Sequence, residues 1–396
     1  MPSRFNLPMS PSNPHTNQVT RPVRILHVVG RMDRAGLETW LMRVLRLIDR
    51  QQFQIDIVAH SPEPGAYDAE IQALGCRILP CAFPFRPWAY GKTFQQILAE
   101  QGPYDIVHSH VHFFSGYVLK LAKDAQVPCR IAHSHNDHST VEQHVGWQRK
   151  AYLFLMKRWI RRFATHGLAT SPLAALDLFG PDWSRDPRIQ VLYCGLDLTP
   201  FATAVAPAPM RQTWGIPTDA CVIGHVGRFE AQKNHSFLVQ VAAVAMSQHP
   251  NLYLMLVGQG ALQPAIAQQV QALGIGDRVI FAGAQSDIPR LLLEVFDLFL
   301  FPSLHEGLGV ALLEAQAAGL PCLIADTVPP EADIIPPLVK RLSLTQTPAQ
   351  WADALLVHRQ STPRWPVSAT LPLLWQSPFN MENSVPPLVQ LYSAQI

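Results

Sequence analysis

Short apolar runs alternate along the chain with longer segments whose apolar residues recur every three or four positions. Arg24–Val29, Gln54–His60, Cys76–Leu79, Ile106–Ser109, Arg130–His133 and Gly167–Thr170 read as strands. Leu37–Asp49, Tyr67–Leu74, Tyr90–Glu100, Ser115–Ala125 and Trp147–Ala164 read as the helices between them, and Gln190–Tyr193 closes the series as a last strand. Strands and helices alternating at this spacing predict a parallel, doubly wound sheet. A second alternation follows: Cys221–Val226, His235–Gln248, Leu252–Val257 and Leu262–Leu273, continued by Val279–Phe281, Ile288–Leu293, Leu298–Phe301 and Cys322–Ala325. Between the two, Cys194–Phe201 reads as a hinge and the Ala/Pro-rich Ala202–Pro209 as a linker. From Thr362 onward the chain is Pro-rich, and only Val385–Tyr392 has a helical pattern.

The expected fold is therefore α/β, with two Rossmann-like doubly wound parallel-sheet domains facing across a cleft. The domains span 23–200 and 201–375, after a disordered tail at 1–22, and a segment at 376–396 is placed to pack back on the first domain. At 396 residues the chain is too long for one ordinary core, which agrees with two domains. Lys plus Arg number 31 and Asp plus Glu 29, so a net charge of +2 gives no basic field for nucleic acid. No apolar run reaches membrane-spanning length. The Pro/Ser/Asn-rich first 22 residues lack the apolar core of a secretion signal. Six scattered cysteines without a CxxC pair read as reduced thiols, which predicts a cytoplasmic protein.

Candidate chemistry centres on Phe301–Pro321, FPSLHEGLGVALLEAQAAGLP. An apolar strand runs into the Gly307-Leu308-Gly309 turn and then a helix. Glycines let backbone approach a ligand, and the helix start offers N–H groups and a positive dipole end to an anion. Glu306 and Glu314 are separated by seven residues. Glu314 sits among Leu312, Leu313, Ala315, Ala317 and Ala318, where a carboxylate needs a partner such as a sugar or ribose hydroxyl. A solvated helix charge is the alternative. Gly227-Arg228-Phe229 with Lys233-Asn234 also follows a strand and precedes a helix, and its two cations suit a diphosphate; a solvated basic loop is the alternative. Gly30–Glu38 (GRMDRAGLE) is a Gly-bearing loop after the first strand, without the GxGxxG dinucleotide fingerprint, where Gly36 could admit a phosphate or an acceptor.

Histidines recur after strands, as His108-x-His110-x-His112 and as His133-Ser134-His135-Asn136-Asp137-His138. The second spacing is like that of metallo-β-lactamase-type hydrolases, so a metal-dependent hydrolase using His133, His135, Asp137 and His138 is one alternative. Such a hydrolase needs an antiparallel sandwich, whereas the pattern predicts parallel sheets. The histidines could instead line an interdomain cleft and bind a polar substrate, or serve only in capping and packing. Trp147–Ala164 combines Arg149, Lys150, Lys157, Arg158, Arg161 and Arg162 with Trp147, Tyr152, Phe154, Trp159 and Phe163. A basic, aromatic helix of this kind can lie on an anionic membrane surface; a packed helix with a solvated basic face is the alternative.

From about Arg24 to Ala325 the chain resembles the retaining nucleotide-sugar glycosyltransferases of the two-Rossmann (GT-B) type, specifically glycosyltransferase family 4. HEGLGVALLEAQAAGLP is similar to the family's E-x7-E segment, GRFEAQKN to its basic donor-phosphate loop, and LVGQG and FAG to its shorter glycine landmarks. HVVGRMDRAGLETWL, YDIVHSH and RIAHSHN resemble the first-domain pattern of bacterial exopolysaccharide and capsule transferases. Ala35 departs from the pattern, which usually has a second glycine there. The resemblance implies that Arg228 and Lys233 hold the donor diphosphate, with Gly227, Gly258 and Gly283 in the donor site. It further implies that Glu306 contacts the transferred sugar and Glu314 the ribose, while backbone near Gly307, Leu308, Gly309 and Val310 meets the distal phosphate. Gly36 lies where its loop approaches donor phosphate or acceptor, and His135, with His133 as second choice, meets the sugar. The reaction so implied takes a nucleoside-diphosphate sugar and a glycan or lipid-linked acceptor, with no cofactor and no metal. A nucleotide-sugar epimerase shares the two-Rossmann fold and is a further alternative.

Overall fold

The computed structural model describes residues 21–81, 86–135, 146–202 and 210–394. The first sheet has seven strands in the order β3-β2-β1-β4-β5-β6-β7. They are β1 (Val23–Val29), β2 (Phe53–Ala59), β3 (Arg77–Pro80), β4 (Ile106–Ser109), β5 (Cys129–Ser134), β6 (His166–Ala169) and β7 (Ile189–Val191). The second has six in the order β10-β9-β8-β11-β12-β13: β8 (Cys221–Val226), β9 (Leu252–Val257), β10 (Val279–Gly283), β11 (Leu298–Phe301), β12 (Cys322–Ala325) and β13 (Val339–Leu342). Every pairing in both sheets is parallel. The helices between strands cover both faces, so strands such as β4, β11 and β12 are buried throughout.

Both sheets reverse their order beside their first strand, between β1 and β4 and between β8 and β11. Loops leaving the carboxyl ends of those strands go to opposite faces and leave a crevice between them, where ligands of this fold class bind. The two domains thus share one architecture, as the two alternations predict. All six cysteines are buried and unbridged.

Beyond Thr362 the expected helical segment Val385–Tyr392 lies within a longer helix, and a helix that was not expected precedes it. Helices form at Val367–Gln376, with Pro372 inside, and at Met381–Ser393, with Pro386 and Pro387 inside. Each internal proline removes one backbone N–H donor. Burial of Leu371, Leu374, Met381, Val385, Leu388 and Tyr392 on the helix faces outweighs that loss. The last helix lies against the first domain: Tyr392 contacts the ring of Phe53 and bonds His108, while Leu196 and Asn380 form a β-bridge just before it. Helices Pro172–Phe179 and Pro348–Ser361 were not anticipated; each opens with proline after a Ser or Thr cap that accepts from the first turn.

Candidate active site

Two loops far apart in sequence meet at the crevice of the second sheet. One follows β8 and carries Gly227, Arg228 and Lys233; the other follows β11 and carries Glu306 to Gly309. The Leu304 N–H donates to the Gln232 carbonyl at 2.8 Å, Gln232 Nε2 donates to the His305 carbonyl at 2.9 Å, and Asn234 Nδ2 donates to the Pro302 carbonyl at 3.2 Å. Lys233 Nζ donates to Glu306 Oε1 at 2.6 Å and lies 4.9 Å from the centre of the Phe301 ring. Arg228 is exposed and pairs with Glu230 at 2.8 Å.

Glycine is required at two points around these loops. Gly258 has φ +142°, and a Cβ there would come within 2.1 Å of the Gly227 carbonyl oxygen; the Gly258 N–H itself donates to Gly283 at 2.8 Å. Close packing of Gly227, Gly258 and Gly283 therefore sets the path of the loop after β8. Gly309 has φ +86° and opens the Val310–Ala317 helix without a side-chain cap. Gly307, Leu308 and Gly309 are buried and Val310 partly so, leaving the uncapped helix start beside Glu306.

Glu314 is buried in that helix, as its apolar neighbours require, and it does have a partner. Arg43, on the first-domain helix Gly36–Leu47, donates to Glu314 Oε1 at 3.2 Å and to the Gly195 carbonyl at 3.3 Å. Burial pushes the Glu314 carboxyl up, and Arg43 opposes the shift. In the first turn of the same helix, burial pushes Glu38 up to about 7, against the opposing charge of Arg228 across the cleft. Gly36 starts this helix, and a Cβ there would meet no protein atom within 4 Å. The fold itself therefore imposes no glycine at Gly36.

Strand alternation puts His27, His108, His110, His133 and His135 on one face of the first sheet, at the carboxyl ends of β1, β4 and β5. Their rings bond to each other: His27 Nδ1 to His110 Nε2 at 2.9 Å, His110 Nδ1 to His135 Nε2 at 2.9 Å, and His108 Nε2 to His133 Nδ1 at 3.1 Å. Burial holds all five far below the usual imidazole range, His27 and His135 at about 3, so all are neutral at pH 7. Trp40 packs edge-on against His133, 5.3 Å between ring centres, and also contacts His135. His133 is fully buried and His135 partly exposed, with rings 4.0 Å apart.

Two trios, His27/His108/His110 and His110/His133/His135, bring ring nitrogens within 4.8 Å of one another and are close enough to hold a metal. In each, two of the rings already share a hydrogen bond. The hydrolase alternative does not hold. Both sheets are parallel, with no antiparallel sandwich around the histidines among the described residues. Asp137 and His138 lie outside the described residues.

Arg43, Glu38, His27, Trp40 and Tyr392 escaped sequence reasoning. Arg43 gives no local signal, because its partner is 271 positions away. The repeated H-x-H spacing did signal a histidine layer, but not that His27 joins it from β1.

Comparison with known proteins bears on the whole chain. Residues 35–195 match the glycosyl transferase 4-like domain, and residues 208–356 match the glycosyl transferases group 1 domain. EpsF of Bacillus subtilis (strain 168), which carries the name of a glycosyltransferase, is 35% identical over 335 residues, 84% of this chain and 86% of that protein. The UDP-Gal:alpha-D-GlcNAc-diphosphoundecaprenol alpha-1,3-galactosyltransferase of Escherichia coli is 26% identical over 320 residues, 77% of this chain and 79% of its own. Among solved structures, Anabaena Alr3699/HepE, crystallised with UDP and glucose, superposes with a TM-score of 0.77 at 17% identity, covering 94% of this chain and all of that one. With two parallel-sheet domains and these matches, the chain belongs to the group 1, family 4-like glycosyl transferases of GT-B fold, and it is an enzyme that transfers sugar.

Proposed function

We propose that the enzyme transfers a sugar, with retention of anomeric configuration, from a nucleoside-diphosphate sugar to a glycan or lipid-linked acceptor in exopolysaccharide, capsule or other envelope glycan synthesis. The observation that carries this reading is the convergence of Arg228, Lys233 and the uncapped Gly309 helix start at the crevice of the second sheet. Departure of the nucleoside diphosphate builds negative charge on phosphate oxygens, which fixed cations and a helix N-terminus stabilise without a metal. The names of two relatives support the substrate classes: one takes UDP-Gal and a diphosphoundecaprenol-linked acceptor, and the other was crystallised with UDP and glucose.

On this reading Glu306 meets the transferred sugar and Glu314 the ribose, displacing or sharing Arg43. His135 and His133 form the first-domain wall beside the sugar. The sugar passes through an oxocarbenium-like state, and the leaving phosphate oxygen takes the acceptor hydroxyl proton on the same face as the acceptor oxygen bonds to the anomeric carbon. The Trp147–Phe163 helix is the membrane-facing element. Leu153, Met156 and Ile160 point inward, while Trp147 and Phe154 are 77% and 71% exposed among exposed Arg149, Lys150, Arg158, Arg161 and Arg162. No helix among the described residues is long and apolar enough to cross a membrane.

A panel of nucleotide sugars, scored by thermal shift and by release of nucleoside diphosphate with and without chelator, tests the reading. One donor is expected to stabilise the protein and turn over equally in both conditions. Turnover that needs an added divalent ion would refute the metal-free mechanism, and no response to any donor would refute the substrate class.

A further inference from the structure

One side chain of the first domain reaches the helix that carries Glu314. Arg43 Nη2 donates to Glu314 Oε1 at 3.2 Å, and Nη1 donates to the carbonyl of Gly195, in the crossover between the domains, at 3.3 Å. The crossover is pinned there: the Leu196 N–H donates to the Phe379 carbonyl at 2.6 Å, and the Leu196 carbonyl accepts from the Met381 N–H at 3.2 Å. The second carboxylate oxygen, Glu314 Oε2, has no hydrogen-bond partner among the described residues and is not sealed from solvent. In all, 11% of the Glu314 side chain stays exposed.

The open edge of Glu314 has a definite direction. Of the eight residues Val310–Ala317, only Val310 and Ala311 are partly exposed. Glu314 follows them by four and three positions, on the same helix face, and helical side chains lean back toward the N-terminus. The carboxylate therefore opens along that face toward the Gly309 helix start, beside Glu306 and Lys233. A ribose diol arriving there could take the carboxylate from Arg43 or share it. Taking it would strand a guanidinium that is only 14% exposed on one carbonyl, and neutral hydroxyls return no charge to compensate. Sharing avoids that loss, because a carboxylate has about four acceptor positions and Arg43 uses one. Burial also pushes the Glu314 carboxyl up, and Arg43 opposes the shift. Without the guanidinium the group gains a proton more readily, and a bond accepted by the neutral acid is about half as strong as one accepted by the carboxylate.

We propose that Arg43 is a positioning residue for the donor: it stays on Glu314 Oε1 throughout turnover and holds Oε2 turned to the ribose hydroxyls, so that the first domain completes the ribose subsite of the second. This rests on the reading that Glu314 meets the ribose. Because the same guanidinium holds the crossover, the pair sits at the pivot between the domains, where closure of the cleft moves atoms least.

Isothermal titration of the full chain with UDP, GDP and ADP, each beside its 2′,3′-dideoxy counterpart, measures the preference for ribose. A wild-type preference of about 10- to 100-fold is expected for the nucleotide that binds. Arg43→Met is expected to lower that preference at least about 5-fold, raising the donor KM while kcat stays within about 2-fold of wild type. A merely structural role would weaken the ribose and dideoxy forms alike. Arg43→Gln keeps an N–H for the Gly195 carbonyl but no charge, and it carries the same expectation if Arg43→Met fails to fold. In Glu314→Gln the preference is expected to be low already, and adding Arg43→Met should lower it no further. An unchanged preference in Arg43→Met, or in Arg43→Gln where only that variant folds, overturns the proposal. So does a further fall in the Glu314→Gln background, which would place Arg43 itself on the ribose. A wild type that binds a ribonucleotide with no preference over its dideoxy form overturns the Glu314 reading instead, and one that binds none of the three overturns the nucleotide-sugar donor.

Discussion

Arg43→Ala isolates the one ion pair that ties the first-domain helix to the E-x7-E helix. The pair is well shielded, with side-chain exposures of 14% for Arg43 and 11% for Glu314, so solvent screening removes little of it. Without Arg43 the carboxylate has no counter-charge within its apolar helix, and its escape is to take a proton. From an ordinary value of 4.5, staying protonated at pH 7 costs at most about 3.5 kcal/mol, at about 1.4 kcal/mol per unit. The lost bond to the Gly195 carbonyl adds about 1 kcal/mol. The expected loss at pH 7 is therefore about 2–4 kcal/mol. Its pH dependence has a definite sign. A carboxyl whose folded pKa is raised above the unfolded one contributes no penalty below the unfolded value, and the penalty grows as pH rises from there toward the folded value. Urea unfolding should therefore show Arg43→Ala only about 1 kcal/mol below wild type close to pH 4.5 and falling further behind it by pH 7 to 8. In a Glu314→Gln background the same substitution should cost only about 1 kcal/mol, independent of pH. An equal loss at both ends of the pH range, or an undiminished loss in the Glu314→Gln background, would refute the reasoning.

Lys233→Ala should lower nucleoside diphosphate release about 100-fold in a steady-state assay while the fold survives; wild-type turnover would remove Lys233 from the phosphate site. The glycines separate structure from function. Gly258→Ala forces a Cβ onto the Gly227 carbonyl at φ +142° and should cost about 2–4 kcal/mol in a thermal melt. Gly36→Ala should leave the melt within about 0.5 kcal/mol of wild type, and any loss of turnover it causes measures ligand contact alone. Replacing Trp147 and Phe154 with Ser should abolish sedimentation with anionic vesicles at low salt; a wild-type protein that stays in the supernatant would dismiss the membrane face.

The alternation of apolar runs with amphipathic segments was enough to read two parallel sheets, because strands buried on both faces must be apolar and the helices covering them must be one-sided. The two loops that meet at the second crevice were legible for a related reason: Gly227, Arg228 and Lys233 follow one strand and Glu306 to Gly309 another, where this architecture opens its crevice. Contacts that depend on distant packing were not legible. Arg43 meets Glu314 and Tyr392 meets His108 only after whole domains are assembled, so no local spacing marks them. The Val367–Gln376 helix and the first turn of the last helix were missed for a different reason. Pro372, Pro386 and Pro387 weaken intrinsic helix propensity, and only burial of Leu374, Leu388 and Tyr392 against the rest of the molecule overrides it.

The pairing of Lys233 with Glu306 also bears on the proposed retaining mechanism. An ammonium has three N–H donors, so Lys233 can keep Glu306 and still reach a phosphate oxygen. Arg228 and Glu230 are about half exposed, and a diphosphate can replace Glu230 there at little cost. Glu306, by contrast, is buried and already spends a lone pair on Lys233 at 2.6 Å. A carboxylate held in that way is a weak nucleophile, so on the proposed mechanism no covalent glycosyl-enzyme through Glu306 is expected, and Glu306 would hold the sugar. Glu306→Gln keeps a hydrogen-bonding side chain at the sugar and loses only the ion pair. Its turnover should fall about 10- to 100-fold, with product of unchanged anomeric configuration by NMR and no sugar adduct in intact-protein mass spectra during turnover. If Glu306 were the nucleophile, the same substitution would abolish retaining transfer, and the wild-type enzyme mixed with donor alone would carry one sugar mass on the peptide containing Glu306.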